Sequence, residues 1–365
     1  MDVMAQARAL EAEGRSIVHM EVGQPGAPAP QAARDALRAA LAEPLGYTVA
    51  LGRADLRARI ARLYADWYGL DVDPARVVAT TGSSAGFQLA FLSLFDAGQR
   101  VAIADPGYPS YRNILRALDL EVVRIEGVPE SGFQPTPEAL AAAGRVDGLL
   151  AASPANPTGT ILSREALGAL IEACAAQGAA FISDEIYHGL HYDAPAACAL
   201  ELSDDVVVIN SFSKYFAMTG WRIGWMVVPE WMIRPVERLA QNLFICPPHA
   251  SQIAALAAMD ATEELEANRA GYARNRAMLL DALPRLGLTD FAPSDGAFYL
   301  YADIGHLTDD SLAWCRDLLI RGGVAATPGL DFDPLRGGRT VRFSFAGPHE
   351  EMIEGVRRLE RFLAG

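Results

Sequence analysis

Short apolar runs alternate with longer helical segments through most of this sequence, and no other feature constrains the fold as strongly. The runs are rich in valine, isoleucine and alanine, a pattern that is typical of buried strands. The clearest runs are residues 77–80, 101–104, 148–152, 179–183 and 206–209. The segments between them include predicted helices at 87–95 and 164–177. Strands that alternate with helices in this way predict an α/β fold.

Lys214 follows closely on the apolar run 206–209, which places it where a buried strand ends. Desolvation at such a place disfavours the charged ammonium and lowers the lysine pKa, so the amine can attack a carbonyl carbon. Ser211, Ser213 and Arg222 supply two hydroxyls and a guanidinium around the same point, which suits a phosphate dianion. A nucleophilic lysine beside a phosphate site predicts pyridoxal 5'-phosphate (PLP), which carries an aldehyde and a phosphate on one ring.

The segment 211–224, SFSKYFAMTGWRIG, resembles the lysine-attachment signature of class I/II aminotransferases, the fold-type I PLP enzymes. The resemblance implies that Lys214 holds PLP as an aldimine and that the enzyme moves an amino group from an L-amino acid to a 2-oxo acid. It also implies a large PLP-binding domain over residues 28–265, with a mostly parallel sheet flanked by helices. Residues 1–27 and 266–365 would form a small α/β domain, and two copies would form a homodimer with a shared active site.

Small residues after the run 77–80 predict part of the phosphate site. Gly82, Ser83 and Ser84 lead directly into a helix, whose free N–H groups and positive dipole end attract anions. A serine at such a turn also suits a simple helix cap, so agreement with the lysine segment decides between the two interpretations. The resemblance assigns these three residues to the phosphate. It implies that Tyr47 reaches the phosphate of the neighbouring subunit's cofactor.

Three further segments at strand ends carry side chains that the resemblance assigns to the cofactor ring. Tyr108, in DPGYPSY, matches the aromatic residue that stacks on the pyridine ring, and Asn156, in SPANPTG, matches the donor to the phenolate oxygen. Asp184 ends a buried strand and therefore needs a cationic or hydrogen-bonding partner. A protonated pyridine nitrogen is such a partner. Tyr187 would reach the phenolate oxygen beside Asn156, so Lys214, Asp184 and Tyr187 are the predicted catalytic residues.

Four residues make up the predicted substrate site. Arg342, in VRFSFAG, matches the family arginine that binds the substrate α-carboxylate, and a guanidinium can grip a planar carboxylate with two hydrogen bonds. Phe298, in a segment resembling the family's PxGAFY, would line the substrate side chain. Gly23 lets the backbone approach a ligand closely. Asn156 completes the set.

Charge and composition exclude several other classes of function. The net charge of −14 argues against nucleic acid or an anionic membrane as a partner. No apolar run approaches the ~20 residues that span a bilayer. His188 and His191 lack a third ligand at a fixed spacing, so no metal site is predicted. The cysteines form no CxxC pair and predict reduced thiols in a cytoplasmic protein. They are Cys174, Cys198, Cys246 and Cys315.

Two alternative functions remain open because they use the same cofactor residues. One is a PLP lyase or decarboxylase on the same fold. The other is a non-catalytic sensor fused to a DNA-binding module, which the roughly twenty residues before Gly23 are too few to supply. The segment Cys246-Pro247-Pro248-His249 departs from the family pattern, which has small hydroxyl residues at the two proline positions.

Overall fold

Twelve helices and twelve short strands make up the computed structural model, which describes residues 2–365. The helices are α1 Asp2–Ala12, α2 Gln31–Ala40, α3 Ala54–Tyr68, α4 Gly82–Leu94, α5 Pro109–Ala117, α6 Pro137–Ala142, α7 Arg164–Ala176, α8 Ile233–Phe244, α9 His249–Ala258, α10 Thr262–Arg285, α11 Ser311–Asp317 and α12 His349–Leu363. The strands are β1 Val18–His19, β2 Val77–Thr80, β3 Arg100–Asp105, β4 Glu121–Glu126, β5 Gly148–Ala152, β6 Ala180–Asp184, β7 Val207–Ser211, β8 Gly224–Val227, β9 Tyr299–Asp303, β10 Val324–Ala325, β11 Thr327–Pro328 and β12 Thr340–Ser344.

Seven of the strands form one central sheet in the order β2-β8-β7-β6-β5-β3-β4. The strands β3 to β7 run parallel, and only β8 runs against its neighbours. Alternate residues feed two separate cores: Leu149 and Phe181 pack on one face, and Leu150 and Ile182 pack on the other. Helices cover both faces, which is why the strands are apolar throughout. The predicted α/β fold with a mostly parallel sheet is confirmed.

Both ends of the chain contribute to a second group of elements. The strands β11, β12 and β9 form an antiparallel sheet, and β1 pairs in parallel with β10. Thus Val18 lies beside Val324, although most of the chain separates them. The division into domains at residues 28–265, with 1–27 and 266–365 apart, stays a prediction.

The segment 17–22, IVHMEV, has a β-branched start but forms only a short strand in the structure. Only Val18–His19 pairs with a neighbouring strand. Beyond it the backbone turns to other partners, since the Met20 carbonyl accepts a hydrogen bond from the Ser344 N–H at 2.7 Å. The Glu21 carbonyl accepts one from the Arg342 side chain at 2.6 Å. Val18, Met20 and Glu21 are buried, and the carbonyls of Met20 and Glu21 accept hydrogen bonds from residues of β12.

The longest helix, α10, has 24 residues and carries acidic residues in its first turn. Within residues 2–365, no helix combines the length and the apolar character that crossing a membrane requires.

Candidate active site

The carboxyl edge of the central sheet gathers most of the predicted site residues. Asp184 is the last residue of β6, and Ser211 is the last residue of β7. Gly82 follows β2 after one residue, and Asn156 lies in the turn after β5. These four strands point the same way, so their carboxyl ends meet at one edge, where open α/β sheets bind their ligands.

Lys214 lies just beyond β7 and reaches across the edge. Its Nζ donates a hydrogen bond to the Gly23 carbonyl at 2.6 Å and lies 5.5 Å and 5.8 Å from the ring centroids of Tyr187 and Phe298. Burial, reinforced by the positive charge of Arg342, lowers its pKa to about 7. An amine with such a pKa is partly unprotonated at neutral pH.

Lys214 is also the only lysine of the chain, because the other 30 basic residues among the 31 lysines and arginines are arginines. No other side chain of the protein can therefore form an imine through an ε-amine.

Asp184 is buried, with 2% of its surface exposed, and its carboxylate accepts hydrogen bonds from the Tyr111 hydroxyl and from the Ile186 N–H at 3.1 Å. Burial raises its pKa to about 6, against the opposing effect of those two hydrogen bonds. The sequence analysis assigned no role to Tyr111. It lies one helical turn after Tyr108, with the ring centroids 5.4 Å apart, and this spacing is the signal that could have indicated it.

The predicted phosphate residues meet at the start of α4. The helix begins at Gly82, and the preceding residue, Thr81, makes no side-chain capping bond. Ser83 and Ser84 follow in the first turn, whose N–H groups therefore have no cap to satisfy them. The guanidinium of Arg222 lies so close to Gly82 that an added Cβ would collide with it.

The remaining residues of this cluster belong to the lysine segment. The Ser211 hydroxyl donates to the Ser213 hydroxyl at 2.9 Å. Arg222 donates one side-chain hydrogen bond, to the Thr219 carbonyl at 2.9 Å, and within the described chain that neutral oxygen is its one acceptor. Two hydroxyls, a guanidinium without a carboxylate and a free helix start thus converge on one place, as an anion site requires.

Arg342 is buried without an anionic partner. It is 6% exposed, and its guanidinium donates to the Asn156 Oδ1 at 2.8 Å and to the Glu21 backbone carbonyl at 2.6 Å. The guanidinium carbon lies 4.2 Å from the Tyr299 ring centroid and 4.7 Å from that of Phe332. Its Nε has no hydrogen-bond partner within residues 2–365. A buried cation held only by neutral groups suits an incoming carboxylate.

Tyr187 and Phe298 form one wall of the same space. The Tyr187 hydroxyl is hydrogen-bonded to the Tyr299 hydroxyl at 2.7 Å, and the rings of Tyr187 and Phe298 lie 5.6 Å apart. Gly23 lies against Tyr299 so closely that a Cβ would collide with the hydroxyl. Tyr299 directly follows Phe298 in the segment that resembles the family's PxGAFY.

Tyr47 is one of three predicted site residues that are exposed, the others being Ser84 and Arg222. It is 84% exposed and lines an open cavity of about 770 Å³ with Thr81, Ile245 and Pro247. Tyr108, by contrast, is half-buried at the start of α5 beside Tyr111.

His188 is buried, and both of its ring nitrogens are hydrogen-bonded within the protein. Burial lowers the pKa of His188 to about 3, and its Nε2 is hydrogen-bonded to the Ser153 carbonyl at 2.9 Å. Its Nδ1 is hydrogen-bonded to the Tyr68 hydroxyl at 2.6 Å. Burial also lowers the pKa of His191. Across the part of the chain that the structure describes, no group of three or more histidine, cysteine or acidic side chains is placed to hold a metal ion.

The site fits PLP group by group. The Lys214 amine, with its lowered pKa, suits the aldehyde. The helix start beside Arg222 suits the phosphate. Asp184, whose pKa is raised by burial, lacks a cationic partner that a protonated ring nitrogen would supply.

Known proteins resemble the chain over its whole length. The family model for aminotransferase class I and II matches residues 15–359. A valine–pyruvate aminotransferase of Mycobacterium tuberculosis is 52% identical over 372 positions, which cover 100% of this chain and 95% of that protein. The crystal structure of an aminotransferase from Mycobacterium tuberculosis superposes with a TM-score of 0.98 at 51% identity and covers 100% of this chain and 96% of that one. Aspartate aminotransferase from Thermus thermophilus with maleate gives a TM-score of 0.93 at 31% identity, covering 99% and 95%.

These matches decide among the three functions that the motifs left open, because the proteins they name are aminotransferases rather than lyases or sensors. The aminotransferase matches are also consistent with the three features that the chain brings together, namely the lysine, the anion site and the buried arginine. The chain therefore belongs to the class I and II aminotransferase family and is a PLP-dependent aminotransferase.

Proposed function

We propose that this enzyme transfers the amino group of an L-amino acid with an apolar side chain to pyruvate or a similarly small 2-oxo acid. The observation that carries the proposal is Arg342, a buried guanidinium whose acceptors are all neutral and whose faces pack on Tyr299 and Phe332. A planar α-carboxylate complements the guanidinium, and aromatic walls that include Phe298 complement an apolar side chain. The valine–pyruvate aminotransferase among the relatives supports the same substrates.

The residues that would hold PLP divide by the part of the cofactor they face. We assign the phosphate to the start of α4 and to the hydroxyl and guanidinium groups around it, and the ring to aromatic and polar side chains at the strand ends. The phosphate set is Gly82, Ser83, Ser84, Ser211, Ser213 and Arg222, with Tyr47 from a second copy. The ring set is Tyr108, Asn156, Asp184 and Tyr187. When bound, PLP supplies an aldehyde and an electron-withdrawing ring that stabilises negative charge at the amino acid α carbon.

Lys214 and Asp184 have complementary proton chemistry. With a pKa of about 7, the Lys214 Nζ can take a proton from the substrate α carbon and release it again near neutral pH. Asp184, with a pKa of about 6, is mostly ionised under the same conditions and would supply a negative charge to a protonated ring nitrogen. Tyr111 keeps that carboxylate oriented through its hydroxyl.

Two groups orient the substrate end of the site: the hydrogen bond from Arg342 to the Asn156 amide, and the Tyr187 hydroxyl. Arg342 engages the Oδ1 of Asn156, which leaves the Asn156 Nδ2 as a donor towards the cavity. The Lys214 amine contacts the carbonyl of Gly23, so the loop that carries Gly23 closes over the lysine.

We further propose that two copies of the chain form a homodimer with shared active sites. Exposed apolar side chains support this, because Tyr47 and Ile245 line one open cavity, and Val49 and Leu243, two residues along the chain from them, are also more than half exposed. Exposed apolar surface on neighbouring segments favours burial against a partner. The four cysteines are free, in keeping with the proposed cytoplasmic location.

Steady-state kinetics with a panel of amino donors and two acceptors, pyruvate and 2-oxoglutarate, test the proposed substrates. We expect valine and other aliphatic donors to give a higher kcat/KM than aspartate or glutamate. Replacing Arg342 with Gln should lower kcat/KM by about 100-fold, mostly through KM, because the carboxylate loses a bidentate, desolvated partner.

Arg339→Gln is the matched control, because Arg339 lies three residues away and is exposed, paired with Asp309 at 3.5 Å. It should retain wild-type kinetics. A preference for acidic donors, or equal kinetics for Arg342→Gln and Arg339→Gln, would contradict the proposal.

A further inference from the structure

The Cys246–His249 segment lies directly beside the loop that carries Tyr47. The His249 Nδ1 is hydrogen-bonded to the Gly46 carbonyl at 3.0 Å, and the Thr48 N–H donates to the Cys246 Sγ at 3.4 Å. The residues on both sides of Tyr47 are therefore tied to one segment. Tyr47 itself is 84% exposed, so its direction depends on these backbone contacts rather than on packing of its ring.

The hydrogen-bond pattern fixes the tautomer of His249. A carbonyl oxygen only accepts, so the Nδ1 of His249 carries the hydrogen that meets Gly46. Its Nε2 then accepts from the Arg53 Nη1 at 3.0 Å. Arg53 is held in turn by Asp55, which it meets with its Nε at 3.0 Å and its Nη2 at 2.5 Å. A chain of oriented groups thus leads from Asp55 to the Gly46 carbonyl.

Gln252, one helical turn after His249 in α9, also supports the loop that carries Tyr47. It is fully buried, and its Oε1 accepts from the Arg53 N–H at 2.8 Å. Its Nε2 donates to the Thr48 hydroxyl at 3.0 Å and to the Pro247 carbonyl at 2.9 Å. The prolines at 247 and 248 fix two φ angles of the segment, which limits how far His249 can move.

We propose that His249 is a positioning residue that presents Tyr47 to the cofactor phosphate of a second copy of this chain. His249 acts through the Gly46 carbonyl, and the two prolines that replace hydroxyl residues hold it in place. The inference rests on the proposed shared site. It assigns a role to the one segment that departs from the family pattern.

Titration with pyridoxamine 5'-phosphate tests the inference, because this amine form of the cofactor lacks the aldehyde and its affinity reports non-covalent contacts alone. The dissociation constant is measured by fluorescence for the dimer carrying Tyr47→Phe, His249→Ala, both changes together, or His249→Asn. His306→Ala is the control, since His306 is exposed in the turn after β9. Steady-state kinetics at saturating PLP accompany each titration.

We expect Tyr47→Phe and His249→Ala each to weaken binding by about tenfold, and the control His306→Ala to keep the wild-type kcat at saturating PLP. The double variant should bind no more weakly than Tyr47→Phe, because His249 acts only through Tyr47. His249→Asn should recover most of the affinity, since its amide can donate to the Gly46 carbonyl, and His306→Ala should bind as the wild type does.

Two results overturn the inference and are distinguishable. If Tyr47→Phe weakens binding while His249→Ala does not, or if the two losses add, His249 does not act through Tyr47 and the shared site stands without it. If Tyr47→Phe binds as tightly as the wild type, the shared site itself fails and takes the inference with it.

Discussion

Lys214 is held where the folded chain disfavours its protonated form. Its pKa falls from the ordinary value of 10.5 to about 7, first because burial removes hydration and then because Arg342 repels the charge. Between these two pKa values the unfolded chain binds a proton that the native chain does not, so stability rises with pH in this interval. Below pH 7 the native state carries the whole penalty. The reactive amine therefore lowers the stability of the cofactor-free protein at neutral pH.

Removing the charge should consequently stabilise the cofactor-free protein. We expect Lys214→Met to raise the free energy of unfolding by about 1–3 kcal/mol at pH 7, while transaminase turnover is lost. The gain should shrink as the pH approaches 10, where the lysine is neutral in the folded state and, with its ordinary pKa of 10.5, has begun to lose its proton in the unfolded state. Urea unfolding of both proteins at pH 7 and pH 10 measures it. A gain that is equal at both values, or absent at pH 7, would contradict the assigned pKa.

The roles of single residues could be predicted from the sequence where the residue lies at the end of a buried strand. Lys214 and Asp184 follow apolar runs, and a buried run that ends in a charged residue is visible in sequence. The contact between Tyr111 and Asp184 was not predictable in this way, because the two are 73 positions apart and only the packing of α5 on the sheet joins them. The unpartnered Nε of Arg342 is likewise a property of the packed site.

At the scale of elements, the start of α4 and the turn before β8 depend on each other. Gly82 has a φ of +72°, in the left-handed region, and Arg222 has a φ of +52°. The missing side chain at Gly82 lets the guanidinium of Arg222 lie against the helix start. The sequence predicted both Gly82 and Arg222 as phosphate residues. It could not indicate that the position of the Arg222 guanidinium requires a glycine at residue 82.

Gly82→Ala should therefore weaken cofactor binding specifically. We expect the affinity for PLP to fall by about tenfold or more, because the new Cβ displaces the Arg222 guanidinium and the left-handed φ adds about 1 kcal/mol of strain. Gly178→Ala is the matched control, since Gly178 has a φ of +71° and open space at its Cβ position.

Gly178→Ala should show the strain alone, as a small loss of thermal stability with unchanged PLP affinity. Equal losses of affinity in the two variants would mean that backbone strain, rather than displacement of Arg222, weakens the site.

Strands were predicted most accurately where the segment is buried in the sheet, and least accurately where its backbone contacts residues of the site. The run 148–152 is strand β5 to the residue, since both of its faces pack on helices. The segment 17–22 is less uniformly apolar, since it contains His19 and Glu21, and only Val18–His19 pairs as a strand. The Glu21 carbonyl accepts hydrogen bonds from the Arg342 side chain at 2.6 Å and from the Thr327 hydroxyl at 2.8 Å, and no local sequence pattern predicts partners so distant in the chain.

At the scale of the whole molecule, the site is complete only when both ends of the chain are folded into place. The hydrogen bond from Arg342 to Glu21 spans 321 positions, and the one from Lys214 to Gly23 spans 191. The large sheet supplies Lys214 and the residues proposed to bind phosphate, while the C-terminal strand β12 supplies Arg342, which we propose binds the carboxylate. Contacts between residues so far apart in the sequence form late in folding, so their presence indicates that the chain has folded completely. Substrate binding should thus be more sensitive than cofactor binding to damage at the termini.

The proposed sharing of sites between copies can be tested without a structure of the dimer. One chain carries Lys214→Ala and keeps Tyr47, and a second chain carries Tyr47→Phe and keeps Lys214. Separate affinity tags allow the hybrid dimer to be purified after coexpression. Its one site with an intact lysine would receive an intact tyrosine from the other chain, so the site would be complete.

At a PLP concentration too low to load the Tyr47→Phe parent, the hybrid should show about half the activity of the wild-type dimer, because one of its two sites is intact. Both parents should be nearly inactive under these conditions. If each chain instead used its own Tyr47, the hybrid would contain no complete site, because its only lysine would sit beside the altered tyrosine of the same chain. Activity no higher than the mean of the two parents would therefore exclude a shared site.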